Sequence, residues 1–253
     1  MKLSVFVITL NEERNLERCL ESVRWADEIV VVDSGSTDGT VDIAKRYTQR
    51  IITRPFDGFG AQKSAALAAT TNEWVLNLDA DEAVSEELAA EIRNLLVGKP
   101  SACGYLTPRR THYLGRPIRH CGWYPDLQLR LFLREHVSYP DRKVHERVAV
   151  DGSIGKLSGH IEHYGFPTFE EHLRKMTNYA RSAAEQMHVE GKVCRPGSLI
   201  CRPTAAFLQK FLLRQGFRDG IRGLLVSAMH SYYVFLKYAW LWELQRVTKP
   251  GKS

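Results

Sequence analysis

Two carboxylates lie at the end of a short apolar run. Residues 73–82 read EWVLNLDADE, with Trp74, Val75, Leu76 and Leu78 leading into Asp79 and Asp81. A run of this length between polar flanks suits a buried parallel strand. Side chains alternate along an extended segment, so Asp79 and Asp81 share one side. Two like charges so close repel unless a cation lies between them. Hard oxygen donors at the open end of a strand suit Mg²⁺ or Mn²⁺, and open α/β sheets bind ligands beyond the carboxyl ends of their strands. The triplet therefore reads as a metal site for a phosphorylated ligand, or as a solvated turn that caps the next helix.

The surrounding pattern supplies elements to hold such a site. Residues 3–10 (LSVFVITL) are almost continuously apolar, as in a strand covered on both faces. Asn11 is expected to open a helix with Leu16, Cys19, Leu20 and Val23 on one stripe. Residues 28–33 (EIVVVD) form a second strand, the turn-rich SGSTDGT follows, and a short helix runs to about Tyr47. A third strand spans 50–53 and an Ala-rich helix 61–69, before the strand that ends in Asp79. Ser85 caps a further helix with Leu88, Ile92, Leu95 and Leu96 inward. Alternation of this kind predicts an α/β fold with a mostly parallel, doubly wound sheet and a helical extension at its C-terminal end. The first turn, Thr9-Leu10-Asn11-Glu12, has no glycine, which excludes a dinucleotide fingerprint and a phosphate loop there. Asp33 could hold a ribose or base edge, or only complement a helix start.

Beyond residue 102 the pattern changes to short strands: CGYLT, QLRLFL, RVAV and KLSGHI. Between them the Arg- and His-rich stretch 109–120, then GWYPDLQLRLF and KVHE, read as a binding face. Residues 169–189 form an amphipathic helix. Lys210, Arg214, Arg218 and Arg222 recur at every fourth position, which on a helix is one cationic stripe. Residues 224–242 are apolar and aromatic but include His230 and Lys237, so a membrane span is not expected. Two readings stand: an interfacial helix with its rings at headgroup depth, or a helix docked as core.

A chain of 253 residues has room for one large domain, or one with an appendage. Five scattered cysteines without a CxxC pair argue against a zinc site or disulfide framework and fit a reducing cytosol. The short run at 3–10 reads as a strand and not a signal peptide. Residues 192–253 carry 11 Lys and Arg against 2 acids, so the net charge of +6 is concentrated there. That end predicts an anionic partner surface, a membrane before nucleic acid, since no nucleic-acid-binding motif accompanies the charge.

In combination, VITLNEE (7–13), VVDSGSTDGT (31–40), the glycine-led GAQKxxAL stretch (58–67) and LDADE (78–82) resemble family 2 glycosyltransferases with the GT-A fold. PDxQxRLF (125–132) and VHE (144–146) resemble the subgroup of β-1,4-glucosyltransferases that assemble the lipopolysaccharide inner core. The resemblance implies a nucleotide-sugar-binding, catalytic domain over residues 1–165 and a helical region over 166–253 for membrane or acceptor association. It implies that Thr9, Asn11 and Glu12 contact the nucleotide, that Asp33 holds uracil or ribose, and that Lys63 faces the diphosphate. It implies that Asp79 and Asp81 hold a divalent cation, Mg²⁺ or Mn²⁺, on the diphosphate of the donor, UDP-glucose in the first instance. It implies inversion of the anomeric centre by single displacement, and the basic, aromatic C-terminal end suggests a glycolipid acceptor at the inner face of the cytoplasmic membrane.

On that mechanism Arg130 adds positive charge at the diphosphate, and one carboxylate takes the acceptor proton. Glu146 and Asp126 are the two candidates; Pro125 stands where the family's segment has a first acid. His145 could bind the diphosphate or complete the metal shell, and His163 could be a third metal ligand. Three other readings compete. A phosphatase also places Asp-x-Asp after a strand, but this strand is the fourth. A nucleotidyltransferase is expected to carry a Gly-rich first loop. A non-catalytic glycolipid-binding module would leave the acids idle.

Overall fold

The computed structural model describes residues 1–139 and 148–247. The chain forms two compact units, Met1–Arg110 with Pro125–Gly165, and Thr111–Tyr124 with Phe166–Ser253. The stretch Thr111–Tyr124 thus goes with the C-terminal unit, whereas the sequence assigned it to the first domain.

In the first unit, β1 (Leu3–Thr9), β2 (Glu28–Asp33), β3 (Ile51–Thr53) and β4 (Trp74–Asp79) are joined through α1 (Leu16–Ser22), α2 (Thr40–Lys45) and α3 (Phe59–Ala69). There follow β5 (Glu82–Val84), α4 (Glu86–Val97), β6 (Gly104–Tyr113), then β7 (Arg116–Pro117), which falls in the other unit, and β8 (Asp126–Leu133), β9 (Val137–Ser138), β10 (Ala149–Val150), β11 (Ile154–Lys156) and β12 (Ile161–Phe166). The main sheet runs β3-β2-β1-β4-β8-β6-β12-β5. Its β3-β2-β1-β4 half is parallel, while β8 is antiparallel to both β4 and β6. The sheet is therefore mixed, with its doubly wound half parallel as the sequence predicts. The expected strand KLSGHI does not form as one: β11 ends at Lys156 and β12 starts at Ile161.

The apolar runs are continuous because both faces of the parallel half are covered. Leu3, Val5, Val7, Val31, Leu76 and Leu78 pack one way, against Leu16, Leu20, Leu88 and Ile92. Phe6, Ile8, Val30, Val32 and Val75 pack the other way, against Ala66 of α3. Ser85 caps α4 by accepting the Leu88 N–H at 3.2 Å, which starts the helix with Leu88, Ile92 and Leu96 turned inward. Leu88 is fully buried, and cutting it to Ala would cost about 2–5 kcal/mol. Asn11 does not open a helix. It takes φ 53°, the left-handed region that asparagine tolerates, and α1 begins only at Leu16. The turn it makes delivers residues 9–13 to the β2 loop.

The C-terminal unit is built on α5 (Phe169–Val189), α6 (Cys201–Leu208) and α7 (Gly220–Val247). Val226, Met229, Val234, Tyr238 and Leu241 make one face of α7 core, so the aromatic helix is docked along that face. The binding-face reading of 109–120 is corrected in part, since Tyr113, Ile118 and Cys121 pack with Val226 in this unit's core. The cationic stripe is also corrected. A π-helical turn at Gln209–Leu213 and a 3-10 turn at Gly216–Asp219 break the helix, with Gln215 at φ 54° and Gly220 at φ 61°. Lys210 is only partly exposed and Arg222 donates to the Leu114 carbonyl, leaving Arg214 and Arg218 exposed.

Candidate active site

The carboxyl ends of β1, β2 and β4 adjoin, with Thr9 opposite Asp33 and Ile8 opposite Asp79 in register. Loops there can face a ligand without interrupting the ladder. Asp33 is buried at 1% exposure and shapes the loop after β2. Its carboxylate accepts the N–H groups of Gly35 and Ser36 at 2.9 Å and the Ser36 hydroxyl. The first turn is laced to the same loop. Asn11 donates its N–H to Ser36 Oγ and accepts from the Thr37 N–H, both at 2.9 Å, and the Glu12 N–H donates to Thr40 Oγ1 at 2.8 Å. Thr9 Oγ1 is buried and has no hydrogen-bond partner among the described residues.

Asp79 lies between two cations. Its Oδ1 is 2.9 Å from Lys63 Nζ and its Oδ2 is 2.8 Å from Arg130 Nη2. Burial works to raise the carboxyl, but Arg130 and then Lys63 outweigh it and hold Asp79 well below the usual carboxylate range. Arg130 Nη2 also reaches Glu82 Oε1 at 2.6 Å. Glu82 has no exposed side-chain surface; it accepts the Asp79 N–H at 3.1 Å and lies 3.3 Å from Arg109 Nη1. Burial would lower the Arg130 guanidinium, and its two carboxylate neighbours more than reverse that. The result is a buried Glu82–Arg130–Asp79–Lys63 chain of alternating charge, with Lys63 and Asp79 at the solvent-facing end.

Asp126 is held by a fork from Arg109, whose Nε and Nη2 lie 2.9 and 2.6 Å from Oδ2. Gln128 donates to its Oδ1 at 2.7 Å, so both carboxylate oxygens are engaged. Glu146 and His145 fall outside the described residues.

Asp81 and His163 form a separate pair, with His163 Nε2 3.3 Å from Asp81 Oδ2. β12 brings His163 opposite Glu82. Gly165 makes room for it: a Cβ there would lie 2.5 Å from His163 Nε2 and 3.4 Å from Asp81 Oδ2. Among the described residues no three His, Cys, Asp or Glu side chains converge on one point. Of the expected metal ligands, Asp79 is engaged by Lys63 and Arg130, and Asp81 by His163. Asp79 faces cations, while an oxygen and an imidazole nitrogen remain together, a donor pair that fits an open divalent site completed by ligand oxygens and water.

Sequence reasoning named Asp33, Lys63, Asp79, Asp81, Arg130 and His163 as site residues and assigned no role to Glu82, Arg109 or Gln62. Glu82 was visible as the last residue of LDADE. Gln62 donates to Ser34 Oγ and the Pro55 carbonyl at 2.9 Å, which ties α3, and with it Lys63, to the β2 loop.

An α/β domain with helices on both faces of its sheet, a loop-rich face at the ends of its parallel strands and an Asp-x-Asp there is the arrangement of a GT-A glycosyltransferase. The chain belongs to glycosyltransferase family 2: the family model Glycosyl transferase family 2 matches residues 4–148. It is 31% identical to the lipopolysaccharide core biosynthesis glycosyltransferase LpsC of Rhizobium meliloti (strain 1021), over 96% of this chain and 93% of that one. An uncharacterised glycosyltransferase of Rickettsia typhi is 31% identical over 96% of this chain and 87% of its own. Among solved structures, S. aureus TarS 1-349 in complex with UDP-GlcNAc superposes with a TM-score of 0.51 at 16% identity, covering 98% of this chain and 93% of that chain, a likeness of fold. Membership of this family sets aside the phosphatase and nucleotidyltransferase readings.

Proposed function

We propose that this glycosyltransferase moves a hexose, glucose in the first instance, from a UDP-sugar to a lipopolysaccharide-core or related glycolipid acceptor, with inversion. The observation that carries the reading is the Lys63–Asp79–Arg130 arrangement at the end of β4, with Asp81 two residues further along the motif and His163 of β12 beside it. Positive charge fixed where a diphosphate must leave stabilises the developing charge without reorganisation. The acceptor class is supported by the name of the Rhizobium meliloti relative and by the even coverage of both chains.

Asp79 orients Lys63 toward the leaving diphosphate. Thr9, Asn11 and Glu12 line the nucleotide with the Asp33 loop, and the unpartnered Thr9 Oγ1 is available to it. Asp81 and His163 would hold Mg²⁺ or Mn²⁺, which supplies Lewis-acid neutralisation of the diphosphate. Glu146 takes the acceptor hydroxyl proton, and His145 lies beside it in sequence. The Arg109 fork and Gln128 occupy Asp126, which favours Glu146 over Asp126 as base. The helical region 166–253 associates with the acceptor at the inner face of the cytoplasmic membrane; no described helix is long and apolar enough to cross it.

A panel of nucleotide sugars, scored by nucleoside diphosphate release with a core oligosaccharide acceptor, tests the reading. UDP-glucose should give acceptor-stimulated UDP release that EDTA stops. Release of inorganic phosphate, or no release from any donor, would refute it.

A further inference from the structure

The C-terminal unit exposes apolar side chains where the helix breaks. Between α6 and α7 the chain makes its π-helical and 3-10 turns; Leu212, Leu213 and Phe217 there, and Ile221 in the first turn of α7, are 51, 78, 53 and 64% exposed. They do not belong to a loose loop. A Cβ on Gly223 would lie 1.8 Å from the Gly216 carbonyl oxygen, and one on Gly216 would lie 2.7 Å from Cys121 Sγ. The Cys121 N–H donates to the Arg214 carbonyl at 2.9 Å. The elbow is closed from behind and holds its apolar residues outward. Exposed Arg214 and Arg218 sit among them. The one acid of residues 201–224, Asp219, is engaged by His120 at 3.0 Å and by the His120 N–H at 2.8 Å.

We infer that this elbow, and not the aromatic helix α7, is the surface that docks on an anionic lipid bilayer. The inference rests on the proposed membrane-side acceptor and names the element that reaches the membrane. Apolar side chains held outward beside guanidinium groups match the interfacial zone, where rings and branched chains enter the acyl boundary and arginines meet phosphates. An exposed apolar cluster of this kind marks an interaction surface. A second copy of this chain fits less well, because a self-complementary contact would bring Arg214 and Arg218 against like charges with no free acid opposite. On α7, Tyr232 and Phe235 are less exposed, at 39 and 42%, and the helix's other face is core.

The test is flotation of the full chain with vesicles of phosphatidylcholine, alone or mixed equally with phosphatidylglycerol. The mixed vesicles should carry the protein at low salt. Leu213→Glu with Phe217→Glu should lower the partition coefficient by about a hundredfold, roughly tenfold per side chain. Arg214→Gln with Arg218→Gln should lower it by about fivefold per arginine at low salt and much less at high salt. Tyr232→Gln with Phe235→Gln should leave it unchanged. Leu213→Ser with Phe217→Ser, checked for an unchanged thermal midpoint, separates lost docking from lost folding. Flotation insensitive to the elbow variants, or abolished by the α7 pair, would overturn the proposal. So would concentration-dependent dimers that the elbow variants dissolve, or a failure to float at all. UDP binding measured without lipid reports separately on the transferase reading, so either can fail while the other stands.

Discussion

Replacing Arg130 by Met would remove the guanidinium that joins Glu82 to Asp79. Arg130 has 5% of its side chain exposed and Glu82 none, so this half of the chain of charges is desolvated. Taking one partner from a buried pair costs about 3–5 kcal/mol, because the other charge is left behind. Glu82 keeps Arg109 at 3.3 Å, and Asp79, 30% exposed, keeps Lys63. The lower end, about 3 kcal/mol, is therefore expected, which lowers the melting temperature by about 6–12 °C for a chain of this size. The loss should depend on pH. Asp79 is depressed in the folded state, so its contribution is full above the unfolded carboxylate range, near about pH 4, and fades as acid protonates it. The difference between wild type and variant should thus be steady from neutral pH downward and shrink below about pH 4. Adding Glu82→Gln to Arg130→Met should restore stability, since it removes the stranded charge. Denaturant titration at neutral and acid pH measures all three proteins. A cost under about 1 kcal/mol, no change with pH, or a double variant weaker than Arg130→Met would refute the reasoning.

Gly165→Ala should push the His163 ring off Asp81, given the 2.5 Å approach, and so raise the Mn²⁺ concentration needed for half-maximal activity with little change in UDP-sugar KM at saturating metal; an unchanged metal titration would contradict it. His172 is buried at 1% exposure, bonded to Tyr113 Oη at 3.1 Å, and burial, with Lys175 adding to it, lowers it from 6.5 to about 4. The unfolded chain therefore binds this proton first, and stability should fall by ~3 kcal/mol as pH drops from 6.5 to 4. His172→Gln should flatten that limb of a stability–pH profile, and an unaltered limb would count against it.

The parallel half of the sheet was legible because β1, β2 and β4 are covered on both faces, which leaves unbroken apolar runs in the sequence. Ser85 and the stripe of α4 were legible for a local reason, as was α5. Asp79 and Asp81 stood out because motif and strand end coincide, and Lys63 only through the family resemblance. The Arg109–Glu82 and Arg109–Asp126 contacts were not legible, since they join positions 27 and 17 residues apart through strand register that no local pattern specifies. The every-fourth-residue cations suggested one helix, yet Gln215 in the left-handed region and the close approach of Gly216 to Gly223 fold that stretch into an elbow. Asn11 misled in the same way: an asparagine that reads as a helix cap instead takes a positive φ and joins two loops.

The central claim is that Asp81 and His163, beside the Lys63–Asp79–Arg130 charges, grip the diphosphate of a nucleotide sugar through a divalent cation. Calorimetric titration of UDP into the full chain, with Mn²⁺ and then with EDTA, tests it most directly. The account predicts binding with Mn²⁺ that weakens at least tenfold, about 1.4 kcal/mol, in EDTA or in Asp81→Asn. Equal affinity with and without the cation, or an Asp81→Asn variant that binds UDP as tightly as wild type, would contradict it.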